Sequence, residues 1–226
     1  MNFNIIKFDT VTSTSDEAKR LAEKGFGEGT VIVSSVQTCG RGRGDHSFES
    51  PRGGLYFSLI LYPESNIISY LTPMAAVAAV RCLAPYTEKR LYIKWVNDIY
   101  TDEGKIAGIL AERSLGRVVL GVGIDLVRPY GVDVAAGLFD REKPGYGDVI
   151  LWQFLKAFDG LYRASDKGSF IDEYRKRAYL SGKRITVWGK EAQYLGVDDE
   201  FRLLARFDDG RTEAVDSGEV GVIKVY

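Results

Sequence analysis

The 226-residue chain is long enough for one substantial core and a small additional unit. Its 45% hydrophobic and 27% charged residues are typical of a soluble globular protein, and a formal charge of −1 excludes broad attraction to nucleic acid or anionic membrane. Two distant cysteines and one histidine provide no zinc-type cluster. Residues 1–9 lack a hydrophobic leader, and the longest apolar run, residues 74–80, is too short to cross a bilayer. We therefore expect a cytoplasmic protein with no membrane partner.

Strands and helices are predicted to alternate in the first 180 residues. A strand at residues 4–8 precedes a helix that starts at the capping-box pattern Thr14-Ser15-Asp16-Glu17 and ends near Gly25. Further strands are predicted at residues 30–33, 55–62, 91–95, 105–113 and 117–126, the last two joined by a Ser114-Leu115-Gly116 turn. Helices are predicted at residues 72–84, 148–164 and 170–179.

The pattern changes after Gly182 to short alternating strands, predicted at residues 184–188, 192–197, 201–207, 211–215 and 220–225. Aspartate-rich turns separate several of them. About 45 residues arranged this way indicate a small antiparallel barrel, whose stability depends on contacts with the main domain. The predicted domains are residues 1–180 and 181–226.

The segment Gln37-Thr38-Cys39-Gly40-Arg41-Gly42-Arg43-Gly44 follows a buried strand and combines flexible backbone with fixed positive charge. Glycine allows a ligand to approach the backbone closely, and each arginine offers a planar fork of donors. The pattern indicates a site for an anionic small molecule. A mobile surface loop is the alternative.

A second segment contains Lys94-Trp95-Val96-Asn97-Asp98 and then Lys105-Ile106-Ala107-Gly108-Ile109-Leu110. Together with the first loop, with Ser13-Thr14-Ser15, with Gly121-Val122-Gly123-Ile124-Asp125 and with the tail Ser217-Gly218-Glu219-Val220, it resembles the biotin protein ligases. The motifs recur in order over nearly the whole chain. The resemblance is to the short form, and no helix-turn-helix region precedes the motifs, so we expect no DNA-binding domain and no DNA partner.

The resemblance implies an α+β fold with a mixed β-sheet flanked by helices, that of a class II synthetase-like biotin/lipoate ligase catalytic domain, followed by an SH3-like β-barrel. It also implies a two-stage reaction. Biotin and ATP, with Mg²⁺, give biotinyl-5′-AMP, and the biotin is then transferred to a lysine of a biotin carboxyl carrier protein. Whether the protein is a homodimer stays open.

The resemblance also implies the residues of the site. Catalytic roles fall on Lys105, Arg43 and Asp98. Biotin would contact Ser13, Thr14, Ser15, Gln37, Gly40, Arg41, Gly42, Arg43, Tyr56, Lys105, Gly108, Gly121 and Gly123. The nucleotide would contact Arg43, His46, Phe48, Asn97 and Asp125. The resemblance leaves the metal ligands unknown.

The residues themselves support part of this set. Lys105 opens an apolar strand, where a lone ammonium is best explained by a partner anion, which by resemblance is the biotin carboxylate; a surface lysine is the alternative. Gly108, Gly121 and Gly123 lie inside predicted strands, where glycine costs stability unless something approaches the backbone closely. By resemblance, that group is the fused ring of biotin.

Other residues keep two interpretations. Residues 13–15 also fit plain helix capping, and Tyr56 fits ordinary sheet packing. Trp95 is expected in the core. Asp98 would orient or deprotonate the incoming lysine, or is simply a turn carboxylate after Asn97.

The chain departs from the family pattern at five positions. Asp45 replaces a glycine, His46 a cation and Phe48 the tryptophan that stacks on adenine. Val96 replaces a proline, and Asp125 replaces an asparagine, which would either strengthen Mg²⁺ coordination or repel triphosphate. Three alternatives to the ligase stay open: a lipoate ligase or octanoyltransferase, whose fold is similar; a non-catalytic biotin-binding protein, which the altered Asp45 and His46 would fit; and a nucleic-acid-binding role for the Gly-Arg-Gly-Arg loop.

Overall fold

The computed structural model describes residues 1–44, 46–114, 116–164, 168–216, 218 and 220–223. Predictions that concern Asp45, Leu115, Ser217, Glu219 and residues 224–226 lie outside this described part of the chain.

A seven-stranded mixed sheet forms the centre of the fold. Its strands are β1 (Asn4–Val11), β2 (Thr30–Gln37), β3 (Leu55–Leu61), β4 (Tyr92–Lys94), β5 (Asp98–Thr101), β6 (Gly104–Ser114) and β7 (Arg117–Ile124). Their order in the sheet is β1-β2-β3-β7-β6-β5-β4. The β1–β2 pair is parallel, and every other neighbouring pair is antiparallel.

Helices cover both faces of this sheet. They are α1 (Thr14–Glu23), α2 (Leu71–Leu83), α3 (Tyr146–Arg163) and α4 (Ile171–Lys176), and 3-10 turns at Ser65–Tyr70 and Ala84–Tyr86 flank α2. The apolar stripe of α1 packs on Ile32, Ile60 and Val119. Their strand neighbours face the larger core, to which α2 and α3 contribute, because successive strand residues point to opposite faces. The predicted mixed sheet flanked by helices is confirmed.

The helical stretch Ser65–Tyr86, 22 residues whose most apolar 18-residue window has a mean hydropathy of 1.6, is long and apolar enough to cross a membrane. Length and composition alone are weak evidence, and 67% of its most apolar window is buried inside the protein. Packing in the protein core accounts for the apolar composition of this stretch, since four alanines of α2 are fully buried there.

A second sheet follows the helices. Its strands are β8 (Arg184–Val187), β9 (Lys190–Val197), β10 (Leu203–Phe207), β11 (Thr212–Val215) and β12 (Val220–Val222). They pair antiparallel in the order β11-β10-β9-β8-β12. The two outer strands, β11 and β12, do not pair with each other within the described residues, so the predicted closed barrel is present only as a five-stranded sheet.

Two local features differ from the sequence prediction. Helix α1 is capped by Ser13, whose Oγ accepts from the N–H of Asp16 at 3.5 Å, so the cap lies one residue before the predicted capping box. Strand β5 was not predicted, and Asp98 is its first residue rather than part of a turn. A four-residue strand is too short for alternation to be read, and aspartate is rare in strands.

Candidate functional site

A cavity of about 900 Å³ opens where β6, β7, the start of α1 and the loop after β2 meet the second sheet. Its walls contain most of the side chains and glycines singled out from the sequence. Of that set, the cavity is lined by Thr14, Ser15, Gln37, Arg41, Gly42, Arg43, His46, Phe48, Asn97, Asp98, Lys105, Gly108, Gly121 and Gly123.

The loop after β2 is folded as a hairpin over the cavity. Its base is the bridge between Gln37 and Ser50, where the Gln37 N–H donates to the Ser50 carbonyl at 3.0 Å. Further along, the Phe48 N–H donates to the Gly40 carbonyl at 2.9 Å and the Gly42 N–H to the His46 carbonyl at 2.8 Å. These bonds fix the backbone direction, so the glycine-arginine segment lies across the opening.

Neutral polar side chains form one end of the cavity, which we call the polar end (Thr14, Ser15 and Gln37), and the buried Ser58 lies behind them. The Oε1 atom of Gln37 accepts from the Thr14 N–H at 2.8 Å and from its Oγ1 at 3.0 Å. The hydroxyl of Ser58 lies 2.8 Å from Thr14 Oγ1 and 3.1 Å from Ser15 Oγ. The start of α1 therefore presents a pre-arranged set of donors and acceptors, as hydrogen-bonding recognition of a polar ligand requires.

An ion pair forms the opposite, cationic end (Lys105 and Asp98). The Nζ of Lys105 lies 2.8 Å from Oδ1 of Asp98, and the two side chains are 24% and 18% exposed. The anion expected beside Lys105 was the biotin carboxylate, but here a protein carboxylate holds that position. The neighbouring β5 and β6 strands bring the two groups together, a pairing that sequence separation does not reveal.

The two arginines of the loop point to different partners. Arg41 binds Asp16 of α1, with Nε and Nη2 at 3.0 and 2.9 Å from Oδ2. The Asp16 carboxylate raises the pKa of Arg41 through this hydrogen bond and its charge. Arg43 reaches Oδ1 of Asn97 at 3.5 Å and the carbonyl of Gly218 at 3.3 Å. Arg43 thus spans from the main sheet to the second sheet at the cavity opening.

Three glycines form a floor without side chains, which we call the glycine floor (Gly108, Gly121 and Gly123). Gly108 and Gly123 are directly opposite each other on β6 and β7. A Cβ on Gly123 would lie 2.5 Å from Cε1 of Phe48, and a Cβ on Gly108 would lie 3.0 Å from its Cε2. A Cβ on Gly121 would lie 2.8 Å from Oγ of Ser15. The close approach predicted for these glycines exists, and its partner is Phe48 at Gly108 and Gly123 and Ser15 at Gly121.

Four residues of the implied set do not line the cavity. Ser13 is the α1 cap and is buried, and Gly40 lies behind the loop against the Phe48 carbonyl. The Tyr56 ring is buried, its hydroxyl donates to the Pro51 carbonyl at 2.8 Å, and its pKa is raised by burial.

Asp125 is the fourth of these residues and lies beneath the site. It is 4% exposed, and its Oδ1 has no hydrogen-bond partner. Burial raises the pKa of this carboxyl to about 7, while the nearby charge of Lys105 acts in the opposite direction. A buried carboxylate without a donor is costly, so this position is electrostatically unfavourable at neutral pH. Asp125 would have to become accessible from the cavity before it could contact a nucleotide there.

The sequence interpretation missed part of the wall. Strand β12 and the segment before it contribute Gly218, Val220 and Gly221, and the main sheet with the turn after β4 contributes Lys94, Trp95, Ile109, Leu110 and Val122. The tail motif containing Gly218 is recognisable in the sequence, but its position against the arginine loop depends on how the two sheets pack. Trp95 is buried as expected, and its Nε1 donates to the Phe201 carbonyl at 2.8 Å. Within the described residues, no group of three or more His, Cys, Asp or Glu side chains could hold a metal ion.

Comparison with known proteins identifies the family. The model of the biotin/lipoate A/B protein ligase family matches residues 6–126. The chain is 36% identical to the bifunctional ligase/repressor BirA of Bacillus subtilis, over 93% of this chain and 71% of that protein. It is 30% identical to the biotin–[acetyl-CoA-carboxylase] ligase of Mycobacterium tuberculosis, over 95% and 88% of the two chains.

The fold is also that of a solved biotin protein ligase. The structure of the Aquifex aeolicus enzyme in complex with biotin and ATP superposes with a TM-score of 0.81, at 24% identity, covering 98% of this chain and 99% of that one. Since the family model spans more than half of the chain and these relatives are matched over most of their length, the chain belongs to the biotin/lipoate A/B protein ligase family.

Proposed function

We propose that this protein is an ATP-dependent biotin protein ligase, which forms biotinyl-5′-AMP and transfers the biotin to a lysine of a carrier protein. The observation that carries the proposal is a single cavity with a neutral polar end, a glycine floor and the Lys105–Asp98 ion pair at the far end. Biotin has matching parts in the same order: a polar ureido ring, an apolar middle and a carboxylate.

In the first stage, an oxygen of the biotin carboxylate attacks the α-phosphorus of ATP, the bond to the bridging oxygen breaks, and pyrophosphate leaves. Negative charge accumulates on the phosphate and carboxyl oxygens. Lys105 and Arg43 are fixed cations at the cavity wall and stabilise this charge. The Lys105 ammonium has three donors, so it can bind the carboxylate while it keeps its contact with Asp98.

In the second stage, the amine of the carrier lysine attacks the carbonyl carbon of the mixed anhydride. An amide bond forms, the bond from the carbonyl carbon to the phosphate oxygen breaks, and AMP leaves. The amine must lose a proton, and Asp98 is the carboxylate beside the reacting group. Because Oδ1 is engaged by Lys105, we assign Oδ2 as the proton acceptor.

The remaining assignments belong to the same proposal. Magnesium enters with the ATP phosphates, since this ion usually takes only one or two protein carboxylates and keeps phosphate and water ligands. The carrier is a biotin carboxyl carrier protein domain, in keeping with relatives named for acetyl-CoA carboxylase. The second sheet is the core of an SH3-like barrel in a separate C-terminal domain, residues 181–226.

Mass spectrometry of a biotin carboxyl carrier domain incubated with this protein, biotin and MgATP tests the proposal. A mass increase matching one biotin, dependent on both small molecules, is the expected result. Replacement of biotin by lipoate or octanoate tests the alternative acyl ligases in parallel. Tight biotin binding with no modification of the carrier and no pyrophosphate release would support the non-catalytic alternative and overturn the proposal.

A further inference from the structure

The aromatic ring of Phe48 rests on the glycine floor. Its edge lies against Gly108 and Gly123, which are close enough that a Cβ on either glycine would meet the ring at 3.0 or 2.5 Å. The ring is edge-on to Tyr56, with centroids 6.3 Å apart, and the Lys105 ammonium lies 5.5 Å from its centroid. Phe48 is therefore held by contacts inside the cavity and is only half-buried.

This position lies between the two ends of the cavity. Gly121, beside Ser15, marks the polar end, and Gly108, beside the Lys105 Nζ, marks the cationic end. Gly123 follows Gly121 on the same face of β7, about 6.6 Å further along at the usual strand rise. A ligand that joins the polar end to Lys105 has to cross Gly123, where the Phe48 ring now lies.

We propose that Phe48 blocks its own binding site: in the empty protein its ring takes the place of the apolar middle of the ligand, and biotin binds only after the ring has left the glycine floor. This inference rests on the proposed function, which makes biotin the ligand. The hairpin makes the movement feasible, since its base is held at Gln37 and Ser50 by bonds that do not involve the Phe48 side chain.

A self-blocked site has a kinetic consequence. Only the fraction of molecules with the ring displaced can accept the ligand, so the apparent association rate and affinity are reduced by that fraction. The contacts that hold the ring in place, a half-buried cation–π interaction and an aromatic edge contact, correspond to a reduction on the order of tenfold.

Phe48→Ala is the direct test. Association and dissociation rates of biotin are measured by stopped-flow tryptophan fluorescence, using Trp95 at the cavity wall as reporter. We expect association on the order of tenfold faster in this variant, and an intermediate gain in Phe48→Leu. Phe3→Ala, which removes a phenylalanine that packs against Trp152 rather than in the cavity, is the matched control and should leave both rates unchanged.

The outcomes separate this inference from the proposed function. If the wild-type protein binds biotin and Phe48→Ala associates no faster, the self-blocking role is wrong. A variant with unchanged association and faster dissociation would instead make Phe48 a wall of the occupied site, which also overturns the inference. If the wild-type protein does not bind biotin, the proposed function fails, and the inference falls with it.

Discussion

At the scale of single residues, Lys105 is the group on which the proposed first stage depends. Lys105→Ala removes a fixed cation from the position where negative charge develops, while the apolar neighbours on β6 keep the strand in place. We expect adenylate formation, measured as biotin-dependent pyrophosphate release, to fall on the order of 100-fold or more.

Lys156→Ala is a matched control for this prediction, because Lys156 is exposed on α3 away from the cavity. It should retain normal pyrophosphate release. Lys156→Ala should keep the wild-type melting temperature to within a few degrees, whereas Lys105→Ala should lower it, because the largely buried Asp98 carboxylate loses its partner. Near-normal release by a folded Lys105→Ala protein would remove Lys105 from the first stage.

Asp98 is predicted to act mainly in the second stage. Asp98→Asn keeps the shape of the side chain but cannot accept a proton from the carrier amine. We therefore expect transfer to be slowed more than adenylation. Supplying biotinyl-5′-AMP directly isolates the transfer step, and carrier biotinylation is measured by mass spectrometry. A variant that transfers biotin from this intermediate at the wild-type rate would limit Asp98 to holding Lys105.

Asp125 predicts an unusual dependence of stability on pH. Burial raises the pKa of this carboxyl from 3.8 to about 7 in the folded protein. The protonated form is thus favoured by folding, and its stabilising contribution is complete below pH 4 and lost as the pH rises to about 7. The largest loss that this shift allows is about 4 kcal/mol.

Asp125→Asn removes the ionisation and also introduces the residue that the family pattern has at this position. We expect its gain in unfolding free energy over wild type to be small at pH 4 and to grow to a few kcal/mol by pH 8, measured by urea denaturation. Asp102→Asn, at an exposed position, is the control and should show no such growth. A pH-independent difference would contradict the buried, raised-pKa carboxyl.

At the scale of elements, the hairpin after β2 depends on a glycine that does not touch the cavity. A Cβ on Gly40 would overlap the Phe48 carbonyl oxygen and lie 2.6 Å from Oγ of Ser50. Gly40→Ala should therefore displace Ser50 and Gln37 at the base of the hairpin and weaken biotin binding on the order of tenfold or more, measured by calorimetry, because Gln37 belongs to the polar end. Gly27→Ala, where a Cβ meets nothing within 4 Å, is the matched control. Equal affinities would show that the hairpin is not needed for binding.

The regular elements could largely be predicted from the sequence because their signals are local. Buried strands such as β3 are continuous apolar runs, and α3 shows helical periodicity. Strand β5 could not be predicted, because four residues are too few to show an alternating pattern. Its pairing with β6 is what makes it a strand. The cap of α1 was displaced by one residue, since three consecutive hydroxyl residues are almost equivalent as caps.

The site was predicted only as a set of residues. Motif order indicated that the loop, Lys105 and the glycines belong together, and the cavity contains them. Their partners could not be predicted, because the Lys105–Asp98 pair and the Phe48 contact on Gly123 arise from strand pairing and hairpin folding. Whether these residues have the roles that the resemblance implies stays a prediction.

At the scale of the whole molecule, two hydrogen bonds within the described residues connect the cavity wall to the segments beside the second sheet. Arg43 donates to the Gly218 carbonyl, and Trp95 donates to the Phe201 carbonyl. Phe201 itself packs among Tyr70, Phe170 and Tyr174. The sheet therefore lies at the wall of the cavity. The turn at residues 95–97 is held at Asn97 by Arg43 and at Trp95 by the Phe201 carbonyl.

Trp95→Phe tests this connection. The ring continues to fill the core, but the indole N–H is lost and the Phe201 carbonyl is left without its buried donor. We expect the unfolding free energy to fall by about 1–3 kcal/mol in urea denaturation, the usual cost of an unsatisfied buried group. Trp152→Phe, at a side chain that is 53% exposed, is the control and should change stability by less than about 0.5 kcal/mol. The bond also fixes the turn that precedes Asp98, so Trp95→Phe should slow carrier biotinylation, whereas Trp152→Phe should not. If Trp95→Phe matches its control in both measurements, the second sheet does not hold the site through this bond.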